Sequence, residues 1–347
     1  MSAEHSCYVG LDVGGTSIKS LLVDSEGVQI GQYGEVESRV KEGYRATFGQ
    51  LSRALEEICS VNGVKVEDVA GIGLDVPAPS SHGVIWGVAN LAQDWVGTDI
   101  RSGYERECGK PVVMTNDANA AAVGEYMMRE GYHGPLLLLA AGTGLGGGFV
   151  LPGGELYEGA NGLAFELGRI TVPFQEDGVL PADSTGTEGA LEAWVSLMAL
   201  RRQVERELAK PENSAHVLNQ GSLGAAEKAY RLRDLAEQGD AFALHIFEKQ
   251  AHVLGYAVGD LCATLDPGLV VIGGGLAEAQ FRDWYLDCVR EGFAGRAQPF
   301  YQRSPLDPTM ETTRFEWALG GDGAAAYGMA RMAQRRGTLA AATSSGR

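Results

Sequence analysis

Three short glycine clusters close apolar runs in this sequence of 347 residues: Gly14-Gly15-Thr16, Gly142-Thr143-Gly144 and Gly273-Gly274-Gly275. Glycine lets backbone N–H groups approach phosphate oxygens with no side chain between, and it accepts positive φ. One such cluster is usually only a turn. Three of them, two holding threonine, point to a phosphate site built from paired β-turns. The run GTGLGG also invites a dinucleotide reading, but the strand-like GFVLPG follows where that fingerprint requires a helix. There is no Walker lysine motif.

Carboxylates flank these turns. Asp12 interrupts an otherwise apolar run just before Gly14. It is either a strand-end aspartate satisfied locally or, the preferred reading, an oxygen group near Mg²⁺, since a hard cation on phosphates needs oxygen ligands nearby. Lys19 is placed to reach a phosphate or to form an ordinary ion pair. In TNDANAAAVGE, Asn116 and Asp117 end an apolar run, and an Ala-rich helix starts at Ala118. Helix capping favours Asn and Asp, yet it explains one of these residues more easily than Asn116, Asp117 and Asn119 together. Asp117 is therefore a candidate general base. Glu166, after the glycine-rich GANGLAF, and Glu192, in GTEGALEAW, offer the acceptors that a polyol binder needs, although a single carboxylate is more often a solvated surface charge. The six histidines form no ligand cluster, and the five cysteines contain no CxxC pair. That argues against a disulfide framework and a cysteine-built zinc site.

The elements that must carry these residues follow from the apolar pattern. CYVGLDV, SIKSLLV and VQIGQY, separated by turn residues, read as a three-strand antiparallel meander. Phe48, Leu51, Leu55 and Ile58 give helical spacing over 44–59, and strand-like and helix-like segments then alternate up to KPVVMTND, as in an α/β protein. From Pro135 the opening pattern recurs: strand, glycine turn, strand and turn in LLLLAAGTGLGGGFVLPGGELYEG. Self-similarity over more than a hundred residues indicates a duplicated domain. A polar helical insertion is expected at about 197–238, a long helix with one apolar stripe from Phe247 to Leu265, a buried strand in DPGLVVIGGG, and a final turn and helix in GGDGAAAYGMARMA. The small, polar segment 336–347 is expected to be a disordered tail. With 45% hydrophobic and 21% charged residues the chain is globular, and its net charge of −17 disfavours nucleic acid or an anionic membrane as partner. The polar start and the short apolar runs predict no signal peptide and no membrane span, hence a soluble cytoplasmic protein.

Taken in order, LDVGGTSIK, NDANAAAVGE, AAGTGLGGGF, LYEGANGLAFELGR, GALEAWVS and DPGLVVIGGG resemble the ROK family of sugar kinases and sugar-responsive repressors, its glucokinase-like members above all. The resemblance spans about 8–333. It implies the two-lobed actin-like ATPase (ribonuclease H-like) α/β fold, with duplicated domains and a cleft between them for ATP and sugar. The lobes are expected at 1–117 and 118–320, with the helix of about 321–335 packing back on the first. By the same resemblance Asp117 is the catalytic base; Asn90, Asn116, Glu166, Arg169 and Glu192 join it as sugar ligands. Gly14, Gly15, Thr16, Gly142, Thr143 and Gly144 form the phosphate turns, and Gly273, Gly274 and Gly275 the turn beside the nucleoside. ATP and Mg²⁺ are the implied cofactors and a homodimer the implied assembly.

Two departures from the family pattern matter. Many members have histidine where this chain has Arg169, together with a cysteine-rich run that holds a structural zinc. Asp183, Thr185 and Ala190 stand at the three cysteine positions, so no zinc is expected and an ion pair of Arg169 with Asp183 or Glu166 is expected in its place. The reading is an ATP-dependent hexose kinase, with the 6-hydroxyl of glucose as first acceptor. An amino or N-acylamino hexose, or a non-catalytic sugar sensor, are the alternatives. A repressor is disfavoured because only about ten residues precede Asp12, too few for a helix-turn-helix.

Overall fold

The computed structural model describes residues 6–88 and 90–345, and the side chains of these up to 339. The order of elements begins β1 (Cys7–Val13), β2 (Ser17–Val23), β3 (Gln29–Glu37), α1 (Tyr44–Val61), β4 (Val69–Val76), β5 (Ser80–Ser81), β6 (Val84–Ile85), α2 (Ile100–Cys108), β7 (Val112–Asn116) and α3 (Asp117–Met127). It continues with β8 (Leu136–Ala141), β9 (Leu145–Leu151), β10 (Glu155–Leu156), α4 (Leu197–Leu208), α5 (Ala225–Glu237) and α6 (Ala241–Leu265). The last elements are β11 (Leu269–Gly274), α7 (Arg282–Ala294), α8 (Pro299–Gln302), β12 (Arg314–Trp317) and α9 (Ala324–Ser345).

Two five-stranded sheets repeat one design. Their strand orders are β3-β2-β1-β4-β7 and β10-β9-β8-β11-β12. In the first, β1, β2 and β3 form the antiparallel meander, and β1, β4 and β7 run parallel. In the second, β9 and β10 are antiparallel and β8, β11 and β12 parallel. The central parallel strands β1, β4, β8 and β11 are apolar along almost their whole length, as strands covered on both faces must be.

The chain forms two compact units. One comprises the chain up to His133 together with Gly148–Phe165 and the segment from Leu319; the other comprises Gly134–Gly147 and Glu166–Ala318. The division differs from the boundary expected at 117/118. Helix α3 stays with the first sheet because α9 packs along it and along β1 and β4. That close approach is possible because a Cβ at Gly10 or Gly73 would lie 1.8 or 2.0 Å from the carbonyl oxygen of Ala326 or Met329. The chain enters α9 through Glu125, a buried residue of α3 whose carboxylate accepts from the N–H groups of Leu319 and Gly320 at 2.8–3.0 Å and pairs with Arg129 at 2.5 Å.

The tail expected to be disordered from Arg336 is instead helical through Ser345, and 346–347 lie outside the described residues. The run Ala340-Ala341-Ala342 in this stretch favours continuation of the helix. In the second unit the expected polar insertion is α4 and α5, each amphipathic. No helix among the described residues is long and apolar enough to cross a membrane.

Candidate functional site

In the first unit the strand ends bring three aspartates together. The tetrapeptide Gly-Leu-Asp-Val occurs at 10–13 in β1 and again at 73–76 in β4, and the two copies pair in register, so Asp12 lies beside Asp75. Asp75 pairs in turn with Thr115 of β7. Residues paired across neighbouring strands share a face, which sets Asp12, Asp75 and Thr115 in one row. Asp75 is fully buried, with the Asp12 carboxyl and the Val13 N–H as the polar groups that act on its carboxyl. Burial, followed by the charges of Asp12 and Asp117, pushes its pKa well above the ordinary aspartate value, so of the two carboxyls it holds a proton more readily. Desolvation also raises Asp12, while the hydrogen bond from Asp75 and the charge of Lys19 pull it down. Asp75 was not singled out from the sequence, although the repeated tetrapeptide was the available signal.

One strand further on, Asn116 is the cap of α3. Its Oδ1 accepts from the Asn119 N–H at 2.8 Å, so capping does explain this residue. Asn119 is buried and donates from Nδ2 to Thr115 Oγ1 at 3.2 Å, while Thr115 donates to Glu158 at 2.9 Å. Neither bond involves Asp117, which stands at the first position of the helix. Water reaches Asp117, yet the surrounding protein desolvates its carboxyl and raises its pKa, against hydrogen bonds from the Ala118 N–H at 2.9 Å and from its own N–H. A carboxylate made more basic at a strand end is equipped to accept a proton. Gly14, Gly15 and Thr16 form the β1–β2 turn, closed by the Gly14 N–H on the Ser17 carbonyl at 2.8 Å. Lys19 pairs with the exposed Asp322 at 3.0 Å. Asn90 is exposed, on the bend that precedes Trp95.

The second unit holds the remaining candidates. Gly142, Thr143 and Gly144 link β8 to β9, and a Cβ at Gly144 would fall 2.4 Å from Glu192 Oε2. The same oxygen accepts from the Leu145 N–H at 2.9 Å. Glu192 is thereby fastened to the glycine turn, a link that spacing alone does not reveal. Gly274 ends β11 at φ 97°, and a Cβ there would lie 1.8 Å from the Ala141 carbonyl oxygen, so only glycine fits. Glu166 is exposed.

Arg169 forms the expected ion pair. Its Nη1 lies 2.6 Å from Asp183 Oδ2 and also donates to Thr185 Oγ1. The Asp183 carboxylate is enclosed and accepts from the Thr185 N–H, the Thr185 hydroxyl and the Thr187 N–H at 2.7–2.9 Å. Burial acts to raise its pKa, but these hydrogen bonds and the Arg169 charge outweigh it and leave the carboxyl lowered. The fourth position, Ala190, is buried. This set does not fit zinc: a guanidinium cannot ligate, and the one carboxylate is saturated by donors.

A cavity of about 320 Å³ opens beside the two glycine turns of this unit. Its wall is largely apolar, from Val195, Leu197, Leu200, Phe247 and Leu276, with Gly142, Thr143 and Gly275 at the same cavity. An apolar slot next to phosphate-type turns suits a nucleoside carrying phosphates.

The sequence pattern of the ROK family matches residues 8–336. A glucokinase of Halalkalibacterium halodurans is 32% identical over 295 residues, which cover 84% of this chain and 86% of that protein. A ROK hexokinase structure from Thermus thermophilus superposes with a TM-score of 0.75 at 30% identity, covering 95% of this chain and 98% of that one. A ROK family glucokinase from Streptomyces griseus, in complex with glucose and AMPPNP, has a TM-score of 0.72 at 28% identity and covers 95% of this chain and all of the other. With the duplicated sheets, the ordered glycine turns and these likenesses, the chain belongs to the ROK family and has its actin-like ATPase fold.

Proposed function

We propose that this protein is a glucokinase-type enzyme that transfers the γ-phosphoryl group of ATP to the 6-hydroxyl of glucose. ATP-dependent phosphorylation of a hexose is the activity of the glucokinase relatives. The observation that carries the reading to this chain is Asp117: a strand-end carboxylate at the start of α3, made more basic by desolvation.

In the reaction Asp117 accepts the proton of the attacking hydroxyl as the O–P bond forms. Asn116, Glu166, Glu192 and Asn90 hold the other hydroxyls, Arg169 adding those guanidinium N–H groups not given to Asp183 and Thr185. The turns at Gly14 and Gly142 receive phosphate oxygens, and the apolar cavity receives the nucleoside. Phosphoryl transfer needs little covalent help beyond positioning and neutralisation of charge. Asp12 is a suitable oxygen group for Mg²⁺ beside the first phosphate turn, directly or through water; the ion when bound would offset the charge on the transferring phosphoryl group. Lys19, paired with Asp322, is the nearest cation to that turn on β2. The five free cysteines, four of them buried, suit a reducing cytoplasm, and family likeness supports a homodimer. The function requires no zinc.

A coupled assay of ADP release across glucose, mannose, fructose and N-acylamino hexoses tests this. Glucose should give the highest kcat/KM. A higher value for an N-acylamino hexose would reassign the acceptor, and ADP release with no hexose would remove the kinase reading.

A further inference from the structure

The cavity of the second unit contains a polar side chain that the phosphate turns leave unused. Gln250, in the middle of α6 and one turn beyond Phe247, lines the cavity while being only 3% exposed. Its Nε2 is enclosed and has no hydrogen-bond partner. A buried amide without a partner is costly, so one kept at a cavity wall calls for a ligand. The other polar groups of this wall are engaged or lie in solvent. Ser196 Oγ donates to the Glu192 carbonyl at 2.8 Å and caps α4 by accepting from the Ala199 N–H at 3.0 Å. Arg233 lies 3.6 Å from Glu237, and Tyr230 is 75% exposed.

We propose that Gln250 reads the base of the phosphoryl donor and makes that base adenine. The inference rests on the cavity being the donor site and adds the group that selects among donors. A carboxamide offers one donor and one acceptor side by side. Adenine answers with its N6 amino group and an adjacent ring nitrogen, a donor and an acceptor. The corresponding N7/O6 edge of guanine shows two acceptors and would leave the glutamine oxygen facing a lone pair. Phe247, Leu200 and Leu276 supply apolar contact for the ring faces. Inorganic polyphosphate has no base and gains nothing from this wall.

Steady-state kinetics with ATP, GTP and polyphosphate, on the wild type and on Gln250→Leu, provide the test, with ADP binding by calorimetry as a readout independent of turnover. The wild type should prefer ATP to GTP. Gln250→Leu should raise the KM for ATP and weaken ADP by about tenfold, the scale of a hydrogen bond lost at a buried site, and bring the ATP-to-GTP preference close to one. The KM for glucose should stay constant. Gln250→Met, equally apolar but unbranched, serves as a second variant should the leucine fail to melt cooperatively. A variant that keeps the ATP KM, the ADP affinity and the ATP-to-GTP ratio overturns the role of Gln250 and leaves the kinase standing. A wild type that neither turns over ATP nor binds ADP, or that uses polyphosphate alone, overturns the donor site itself and the inference with it.

Discussion

The chemistry turns on where single carboxyl groups stand. Asp117 and Asn116 are adjacent, yet Asn116 gives its Oδ1 to capping α3, whereas Asp117 keeps a carboxylate accessible to water and more basic than usual. Asp117→Asn should therefore retain glucose binding while kcat falls by at least roughly 10²-fold, the scale of general-base loss. In the wild type, activity requires the deprotonated form, so the acid limb of kcat/KM should lie above the ordinary aspartate range, because the folded pKa is raised. Unchanged turnover in the asparagine variant would move the base elsewhere. Glu166 and Glu192 should behave differently. Glu166→Gln should weaken glucose by about 1–3 kcal/mol and leave ATP nearly unaffected. Glu192→Ala also removes the acceptor for the Leu145 N–H beside the Gly142 turn, so both substrate constants should rise. Separate titrations of glucose and nucleotide distinguish the two patterns, and an ATP constant untouched by Glu192→Ala would show the turn to be independent of it.

At the scale of elements, an ion pair stands where the family resemblance implies a structural zinc in other members. The 3₁₀ turn ending at Arg169 is tied to the loop of 183–187 through one enclosed carboxylate with four hydrogen-bonding partners. Asp183→Ala should cost about 2–4 kcal/mol, since it strands several donors at once. Arg169→Ala should cost only about 0–1 kcal/mol, because its side chain is 44% exposed. Metal analysis should find no stoichiometric zinc, and chelation should leave the melting temperature in place; a chelator-sensitive Tm would refute the replacement. The signs of the two unusual carboxyls are opposite. Asp183 has a lowered folded pKa, so its stabilisation is present above the ordinary aspartate pKa and fades as pH falls through the lower one. Asp75 has a raised folded pKa, so the folded state holds the proton more tightly and stability declines as pH rises from the ordinary aspartate value toward the raised one. Asp75→Asn keeps a donor toward Asp12 without the titration. Denaturant unfolding from pH 5 to 8 should show a shallower decline for this variant than for the wild type, and parallel curves would mean that Asp75 is ionised in the native state.

At the scale of the whole molecule, chain order and spatial grouping diverge. The last helix, α9, closes on the first sheet, and Gly10 and Gly73 permit it by leaving no Cβ against its backbone. Gly73→Ala should lower stability by more than about 3 kcal/mol, because the clash is with backbone and no flexible side chain can yield. Chemical denaturation measures this directly; a loss below about 1 kcal/mol would mean that α9 can shift away at little cost.

Periodicity determined much by itself. The meander, the recurrence of its pattern from Pro135 and the three glycine turns all arise from local spacing, since alternation and turn chemistry act within a few residues. The ordered motifs carried the family, and with it the roles proposed for Asp117, Glu166 and Glu192. The reach of α9 is not legible from local composition, because its polar end reads as tail while alanine propensity carries the helix on. What only the tertiary structure decided is pairing across distance: Asp12 with Asp75 through strand register, Glu192 with the Leu145 N–H, and Gln250 without a partner in an apolar cavity. Each depends on which buried group lacks or finds a hydrogen-bond partner, and that balance exists only once burial has removed water from the groups concerned.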